Sequence, residues 1–189
     1  MNRKKRCEWV TADGIYREYH DQEWGIPVHD DRHLFEMLSL EGAQAGLSWI
    51  TILKRRENYR KAFDNFDPLI VRAYDEDKIE SLRQDEGIIR NQLKIRSVIT
   101  NAEAFVKIQE DFGSFNNYVW QFVDGKPILN DWESHEEVPA STKESEALSK
   151  DLKKRGFKFV GPVICYAFMQ AVGMVNDHTR DCYLYHGNK

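Results

Sequence analysis

The sequence lacks the long apolar run that a membrane span needs, which is about 20 residues. The basic start MNRKKRCEWV is likewise followed by no apolar stretch of the kind that secretion signals contain. Both absences argue against a membrane protein and against an exported one. We therefore expect a cytoplasmic protein with no membrane partner.

Cysteine is also scarce, with three residues in 189, which excludes a disulfide-stabilised scaffold. Cys165 lies in the apolar segment VICYAFM and is predicted to be a small core residue. Cys7 and Cys182 remain, one near each end of the chain. Cys182 follows His178 by four residues in HTRDC, so a helix there would place both side chains on one face, as half of a metal site.

Strand patterns are rare, whereas helical spacing of apolar residues recurs. It predicts helices over DDRHLFEMLSLEGAQAG, over SWITILKRRENYRKAF as one helix, and over LKIRSVITNAEAFVKIQEDFG, which ends at Gly113. The turn-rich, polar stretch GKPILNDWESHEEVP is predicted to be a long loop. Because 41% of the residues are apolar, the chain can bury a core, and we expect an all-α protein with a single domain over residues 1–189.

Capping signals mark several helix ends. Asp67 and Pro68 fit an N-cap followed by proline at the first helical position. Ser141 and Glu144 fit a capping box at the start of STKESEALSKDLKKRG, which Gly156 would end.

A hairpin of two helices is predicted over about residues 142–173, with GFKFVG as its turn and Gly161 at the start of the second helix. The free N–H groups of that helix would form an anion site. Basic residues surround the turn, namely Lys153, Lys154, Arg155 and Lys158. The net charge of −4 argues weakly against a nucleic-acid partner, but these charges are clustered. An ordinary helical hairpin with exposed lysines is the alternative interpretation.

Glu41 is an unusual residue because it lies on the apolar face of its predicted helix. A carboxylate there is costly unless it is paired or used. Aromatic residues stand near it in the sequence, namely Trp9, Tyr19, Trp24 and Trp49. A carboxylate walled by aromatic rings suits a flat, cationic ligand that donates hydrogen bonds, such as a damaged purine. Alternatively, Glu41 is a helix-end residue beside Gly42.

Taken together, several stretches resemble the 3-methyladenine DNA glycosylase I family of helix–hairpin–helix DNA glycosylases. They are CEWV, YHDQEWGIP, LFEMLSLEGAQAGLSWITILKRRENYRKAF, DEGIIRNQLKIRSVITNA and LSKDLKKRGFKFVGPVICYAFMQAVGMVNDH, with the final Cys182. The resemblance covers nearly the whole chain. It implies an all-α helix–hairpin–helix glycosylase fold in which a zinc ion joins the N- and C-terminal segments.

The resemblance also implies the residues of both sites. One structural zinc ion would be held by a closed set of four ligands, Cys7, His20, His178 and Cys182. The extruded base would be bound by Glu41, the catalytic residue, and by Tyr19, Trp49 and, less directly matched, Trp9. DNA would be contacted by Lys153, Arg155, Lys158 and Gly161. Trp24 is expected in the core, and Asp177, beside a zinc ligand, is expected to be structural.

The implied activity is removal of 3-methyladenine from double-stranded DNA by a monomeric, monofunctional glycosylase in base-excision repair. Two alternatives remain open. A non-catalytic, zinc-stabilised DNA-binding module would need the hairpin and the metal but not the aromatic pocket. A zinc hydrolase acting on a small molecule would need an open coordination position, which four protein ligands do not leave.

Overall fold

The computed structural model describes residues 4–188, and helices form most of that range. Their bounds, in chain order, are α1 Gly14–Gln22, α2 Asp31–Gln44, α3 Trp49–Leu53, α4 Arg56–Ala62, α5 Pro68–Val71, α6 Glu76–Gln84, α7 Gln92–Phe112, α8 Phe115–Val119, α9 Lys143–Lys154 and α10 Pro162–Ala171. The helical class is therefore confirmed. None of the helices described is long and apolar enough to cross a membrane.

Two short strands depart from the all-α expectation. β1 (Ile128–Leu129) pairs in parallel with β2 (Val175–Asn176). Strands of two residues are too short to leave a periodic signal in the sequence, so β1 was hidden inside the predicted long loop. Their pairing lays the polar segment after β1 beside the segment after β2, which carries Asp177 and His178.

Three predicted helix ends are confirmed. The Asp67 side chain accepts a hydrogen bond from the Leu69 N–H at 3.0 Å, with Pro68 in the first turn of α5. The long helix α7 ends at Gly113, whose φ of 83° suits glycine. Gly161 is the N-cap of α10.

The single helix predicted over residues 48–63 is wrong, because the structure divides it into α3 and α4. The chain bends between them and turns the Arg56 guanidinium inward, where it donates to Glu36 on α2 and to Glu23 after α1, both at 2.8 Å. These charged hydrogen bonds offset the cost of burying the arginine.

The capping box predicted from Ser141 and Glu144 lies one residue too early. Thr142 is the N-cap of α9, and its side chain accepts from the Ser145 N–H. The Ser145 hydroxyl in turn accepts from the Thr142 N–H at 2.9 Å. A serine hydroxyl therefore completes the box in place of the carboxylate that the sequence rule expects.

The helix α2 runs through the centre of the core, because ten consecutive residues, 34–43, are buried. It packs against α10, α3 and α7. The ring of Phe35 lies 5.0 Å from that of Phe105 and 6.2 Å from that of Phe66. Since α2 has no solvent face over these residues, Glu41 must point into the protein.

The segment before α2 is joined to the end of α10 by backbone hydrogen bonds. Gly25 N–H donates to the Gln170 carbonyl at 3.0 Å, and Val28 N–H donates to the Val172 carbonyl at 2.9 Å. Gly173 makes this approach possible, since its φ is 71° and a Cβ there would lie 2.2 Å from the carbonyl carbon of Ile26. No side chain larger than hydrogen fits at this crossing.

We predict that Gly173→Ala lowers the free energy of unfolding by more than about 3 kcal/mol, because it combines a left-handed backbone with a backbone clash. Urea denaturation followed by circular dichroism measures the change. The control is Gly14→Ala at the start of α1, where a Cβ meets no atom within 4 Å. Equal stabilities for the two variants would contradict the prediction.

Candidate active site and metal centre

A cavity of about 190 Å³ lies where α1, α2, α3 and α10 meet. Its lining residues are Trp9, Tyr16, Tyr19, Trp24, Glu41, Gln44, Trp49, His135, Ala167 and Gln170. Cavities of about 150 Å³ hold benzene, so this one suits a single flat base. The structure thus brings together the four residues predicted to bind a base, while that function stays a prediction.

The aromatic side chains form the walls of the cavity. The ring centroids of Tyr19 and Trp49 are 5.5 Å apart with an interplanar angle of 52°. Trp9 lies edge-on to Tyr16 at 5.2 Å and 6.3 Å from Tyr19. Because Tyr19 and Trp49 are tilted and do not stack on each other, neither covers the face of the other. Such rings are able to stack on a flat ligand.

In the described part of the chain, Glu41 is the one carboxyl group that lines this cavity. Its residue is 4% exposed, and no hydrogen bond from a residue within 4–188 reaches its side chain. Burial raises the pKa of Glu41 from 4.5 to about 8, because a charge without a partner is disfavoured in an apolar site. A cationic ligand that donates hydrogen bonds would reverse this cost.

Two indole N–H groups of residues that line this cavity are also without partners. Among the described residues, Trp9 Nε1 and Trp49 Nε1 are buried and donate no hydrogen bond. A buried donor that is left unsatisfied costs roughly 1–3 kcal/mol. Unsatisfied indole donors therefore accompany the Glu41 acceptor on residues that line the cavity, although both nitrogens are enclosed by protein.

Several lining residues were not predicted from the sequence. Tyr16 stands one turn before Tyr19 on α1, and Ala167 stands one turn before Gln170 on α10, so helical spacing offered a signal for both pairs. His135 comes from the polar segment after β1, where no pattern pointed to the cavity. That segment is held near the site by the pairing of β1 with β2 and by hydrogen bonds from Asn130 and Trp132 to Asp177.

The four predicted metal ligands form one buried cluster, with ligand atoms that all lie within 4.8 Å of one another. Cys7 Sγ is 3.5 Å from His178 Nδ1, and Cys182 Sγ is 3.5 Å from His20 Nε2. Tetrahedral zinc with ordinary zinc–sulfur and zinc–nitrogen bonds separates sulfur from nitrogen by about 3.5 Å. The residues present therefore fit such an ion.

Each imidazole in the cluster is oriented by its second nitrogen. Nδ1 of His20 donates to the Asp21 carboxylate at 2.9 Å, and Nε2 of His178 donates to the Trp24 carbonyl at 3.1 Å. The other nitrogen of each ring therefore turns a lone pair toward the cysteines, and that of His20 also accepts from the Cys7 backbone N–H at 3.5 Å. Hydrogen bonds of this kind are typical of the outer shell of metal sites.

The segment HTRDC is not helical, although helical spacing of His178 and Cys182 first suggested a metal site there. A turn, with the Cys182 N–H donating to the Thr179 carbonyl at 2.8 Å, brings both side chains into the cluster instead. The hydrogen bond from the Cys7 thiol is the largest cause of the lowered pKa of the Cys182 thiol. A lowered pKa favours the thiolate that a metal binds.

Trp24 and Asp177 have the positions expected of structural residues. Trp24 is buried, as predicted, yet it also lines the cavity and lies 4.8 Å from the His178 ring, so it connects the two sites. The Asp177 carboxylate is 1% exposed and accepts hydrogen bonds from four side chains. The donors are Asn130, Trp132, Tyr166 and Gln170.

The turn between α9 and α10 is held by side chains from the core. Asn101 on α7 accepts from the Lys158 N–H at 2.8 Å and donates to the Lys158 carbonyl at 3.0 Å. Ser149 donates to the Val160 carbonyl at 2.6 Å. Gly161 caps α10 without a side chain, so the first N–H groups of α10 stay free for a ligand.

The predicted DNA contacts in this hairpin differ in their surroundings. Lys153 and Lys158 are exposed. The guanidinium of Arg155 instead forms an ion pair with Asp151 at 2.7 Å and lies about 5 Å from the rings of Phe112 and Tyr118. Arg155 thus has partners inside the protein, while its contact with DNA stays a prediction, as do those of the lysines and Gly161.

A helical fold with a partnerless carboxyl group in an aromatic cavity is the arrangement of a base-excising glycosylase. Residues 9–186 match the methyladenine glycosylase family, and the chain belongs to that family. It is 54% identical to DNA-3-methyladenine glycosylase 1 of Escherichia coli K12 over 185 residues, which is 98% of this chain and 99% of that protein.

Solved structures agree with this assignment. A crystal structure of 3-methyladenine DNA glycosylase I superposes with a TM-score of 0.94 at 53% identity, over 96% of this chain and all of the other. A variant of a 3-methyladenine DNA glycosylase I in complex with 3-methyladenine superposes with a TM-score of 0.92 at 37% identity, over 95% and 97% of the two chains.

We predict that Glu41→Gln raises the free energy of unfolding by about 3 kcal/mol at pH 7. Since the pKa of Glu41 is about 8 in the folded protein and 4.5 for an unperturbed glutamate, the wild type loses stability as the pH rises from 4.5 to 8. Glutamine does not ionise, so the variant does not lose stability in this pH range. The difference in the free energy of unfolding between the two proteins should therefore vanish below about pH 4.

Urea denaturation of both proteins between pH 4 and pH 8 measures this difference. The matched control is Glu18→Gln, at an exposed glutamate of the same chain. Its stability should stay close to that of the wild type. A stability difference for Glu41→Gln that does not change with pH would show that burial of Glu41 carries no ionisation cost.

Proposed function

We propose that this protein hydrolyses the N-glycosidic bond of 3-methyladenine in alkylated double-stranded DNA and leaves an abasic site, as the first step of base-excision repair. Membership of the methyladenine glycosylase family supports this activity. The observation that carries it is the buried, partnerless carboxyl group of Glu41 in a cavity walled by aromatic rings. The related enzyme in complex with 3-methyladenine supports the choice of base.

In the proposed reaction, the damaged base leaves the duplex and enters the cavity. Methylation at N3 makes the attached adenine cationic, and the Glu41 carboxylate stabilises that charge and accepts a hydrogen bond from the exocyclic amine. Tyr19 and Trp49 stack on the ring, with Trp9 beside them. The base leaves as a neutral molecule, so its departure needs little acid catalysis.

Water then attacks C1′ of the sugar, which has oxocarbenium character. Asp177 is poorly suited to activate that water, because each of its carboxylate oxygens already accepts two hydrogen bonds. Among residues 4–188, those that line the cavity include no lysine, which supports hydrolysis by water over attack by an amine. The enzyme is accordingly proposed to be monofunctional.

The hairpin of α9 and α10 is proposed to hold the DNA backbone near the lesion. Lys153 and Lys158 would contact phosphates, and the free N–H groups that follow Gly161 would bind one phosphate at the positive end of α10. One continuous core that extends from Cys7 to Cys182 supports treating the chain as a single domain, and we propose that it acts as a monomer.

One structural zinc ion is proposed for the cluster of Cys7, His20, His178 and Cys182. Two thiolates and two imidazoles with tetrahedral spacing form a closed set, which leaves no position for substrate. When bound, the metal supplies a link between the terminal segments and no reaction step. The small-molecule zinc hydrolase considered above is therefore disfavoured.

We predict that the protein releases free 3-methyladenine from methylated duplex DNA without cutting the strand. Glu41→Gln should lower kcat/KM by about 10- to 100-fold, the value of one hydrogen bond to a charged group. Chromatography of the released bases measures both effects, with Glu18→Gln as the control. A non-catalytic DNA-binding module would bind the duplex and release no base, and a fully active Glu41→Gln protein would refute the role of Glu41.

We predict that the purified protein contains one zinc ion and that Cys182→Ser loses it together with several kcal/mol of stability. Cys165→Ser is the matched control, because Cys165 is buried but lies outside the cluster. Elemental analysis and thermal unfolding with and without a chelator measure the outcome. A zinc-free Cys182→Ser protein as stable as the wild type would refute the structural role.

A further inference from the structure

Gln170 is a polar residue of the cavity wall that neither the aromatic stacking nor the role of Glu41 uses. It lies on α10, one turn after Ala167, which lines the same cavity. Its side-chain Nε2 donates to the Asp177 carboxylate at 2.9 Å. One end of the amide is therefore anchored in the protein, while the residue borders the ligand space.

The anchor fixes which end of the amide faces the cavity. The Asp177 carboxylate acts as an acceptor, because it takes hydrogen bonds from Trp132 and Gln170. Rotating the Gln170 amide by about 180° would place its oxygen against a carboxylate oxygen of Asp177, which is unfavourable. Asp177 is itself held by Asn130 at 2.7 Å and by the Tyr166 hydroxyl. The amide of Gln170 has one favourable orientation, with its nitrogen toward Asp177.

The remaining end, Oε1 of Gln170, is an acceptor without a partner. Within residues 4–188, this oxygen accepts no hydrogen bond. It is also not fully enclosed by protein, unlike the unsatisfied atoms Trp9 Nε1, Ser39 Oγ and Trp49 Nε1. An oxygen that is neither bonded nor enclosed, on a residue that lines the cavity, is open to a ligand there.

We propose that Gln170 is a specificity-determining residue that selects alkylated adenine over alkylated guanine, by presenting a fixed acceptor to the edge of the base that carries the C6 substituent. This inference rests on the proposed function. Adenine carries an amine at C6, which donates, whereas guanine carries a carbonyl, which only accepts. The amine has two hydrogens, so Glu41 and Gln170 each accept one. A guanine would set its carbonyl against the Gln170 oxygen.

The expected size of the discrimination follows from the cost of leaving a polar group in the site without its hydrogen-bond partner. Sites that are built to bond a polar group of the substrate reject analogues that lack it far better than apolar pockets reject an extra methylene. Loss of one neutral hydrogen bond costs about tenfold in kcat/KM. The ratio of adenine to guanine excision is therefore the quantity that Gln170 should control.

The test uses duplex DNA treated with a methylating agent, which carries both 3-methyladenine and 3-methylguanine, and separates the released bases by chromatography. Gln170→Met removes the amide but keeps the length of the side chain. It should slow release of 3-methyladenine about tenfold and release of 3-methylguanine much less, so the ratio falls about tenfold. Gln170→Ala provides a second variant in case the longer side chain disturbs folding.

Tyr166→Phe is the matched control, because it also deletes one hydrogen bond to Asp177 but lies outside the lining of the cavity. It should reduce thermal stability and leave the ratio unchanged. Equal slowing of both bases in the Gln170 variants, or an equal shift of the ratio in Tyr166→Phe, would overturn the inference. Failure of the wild type to release any base would overturn the proposed function and this inference together, whereas an active wild type with an insensitive ratio overturns the inference alone.

Discussion

The burial of one carboxyl group without a partner is the constraint on which this structure depends. Glu41 is on a helix with no solvent face, so its charge is unfavourable until a ligand arrives. Strong polar contacts fix the walls that surround this group. Arg56 bonds to Glu36 and Glu23 and thereby joins α1, α2 and α4. Lys94 donates to the carbonyls at the end of α2, at 3.0 and 2.6 Å.

Two further polar clusters hold the parts of the cavity that the apolar core does not reach. The cysteine and histidine set fixes the N-terminal segment, which carries Trp9, against the segment after β2. The four donors around Asp177 fix α10 and the segment that carries His135. Trp24 contacts both regions, since its carbonyl accepts from His178 and its ring borders the cavity. The site is thus formed where segments that are distant in the sequence meet, and no single helix builds it alone.

The sequence predicts those features of the fold that depend on residues close together in the chain. Helical spacing, the proline after Asp67 and the glycine after α7 predicted helices and their ends, because backbone chemistry acts over a few residues. The break before Arg56 was not predictable, since the partners of Arg56 at this bend lie 20 and 33 positions away in the sequence. Resemblance to a family supplied the ligand set and the base pocket, whereas His135 comes from the segment after β1, whose pairing with β2 no short pattern encodes.

The turn between α9 and α10 has a thermodynamic consequence. Asn101 forms hydrogen bonds with the N–H and the carbonyl of Lys158, and Ser149 donates to the Val160 carbonyl. These bonds restrict the turn to few conformations. An anion that meets the N–H groups beyond Gly161 therefore encounters them already aligned. Ordering a flexible loop would subtract from affinity, and here that entropy was lost during folding. The proposed contacts of this hairpin with DNA would therefore require no rearrangement of the turn.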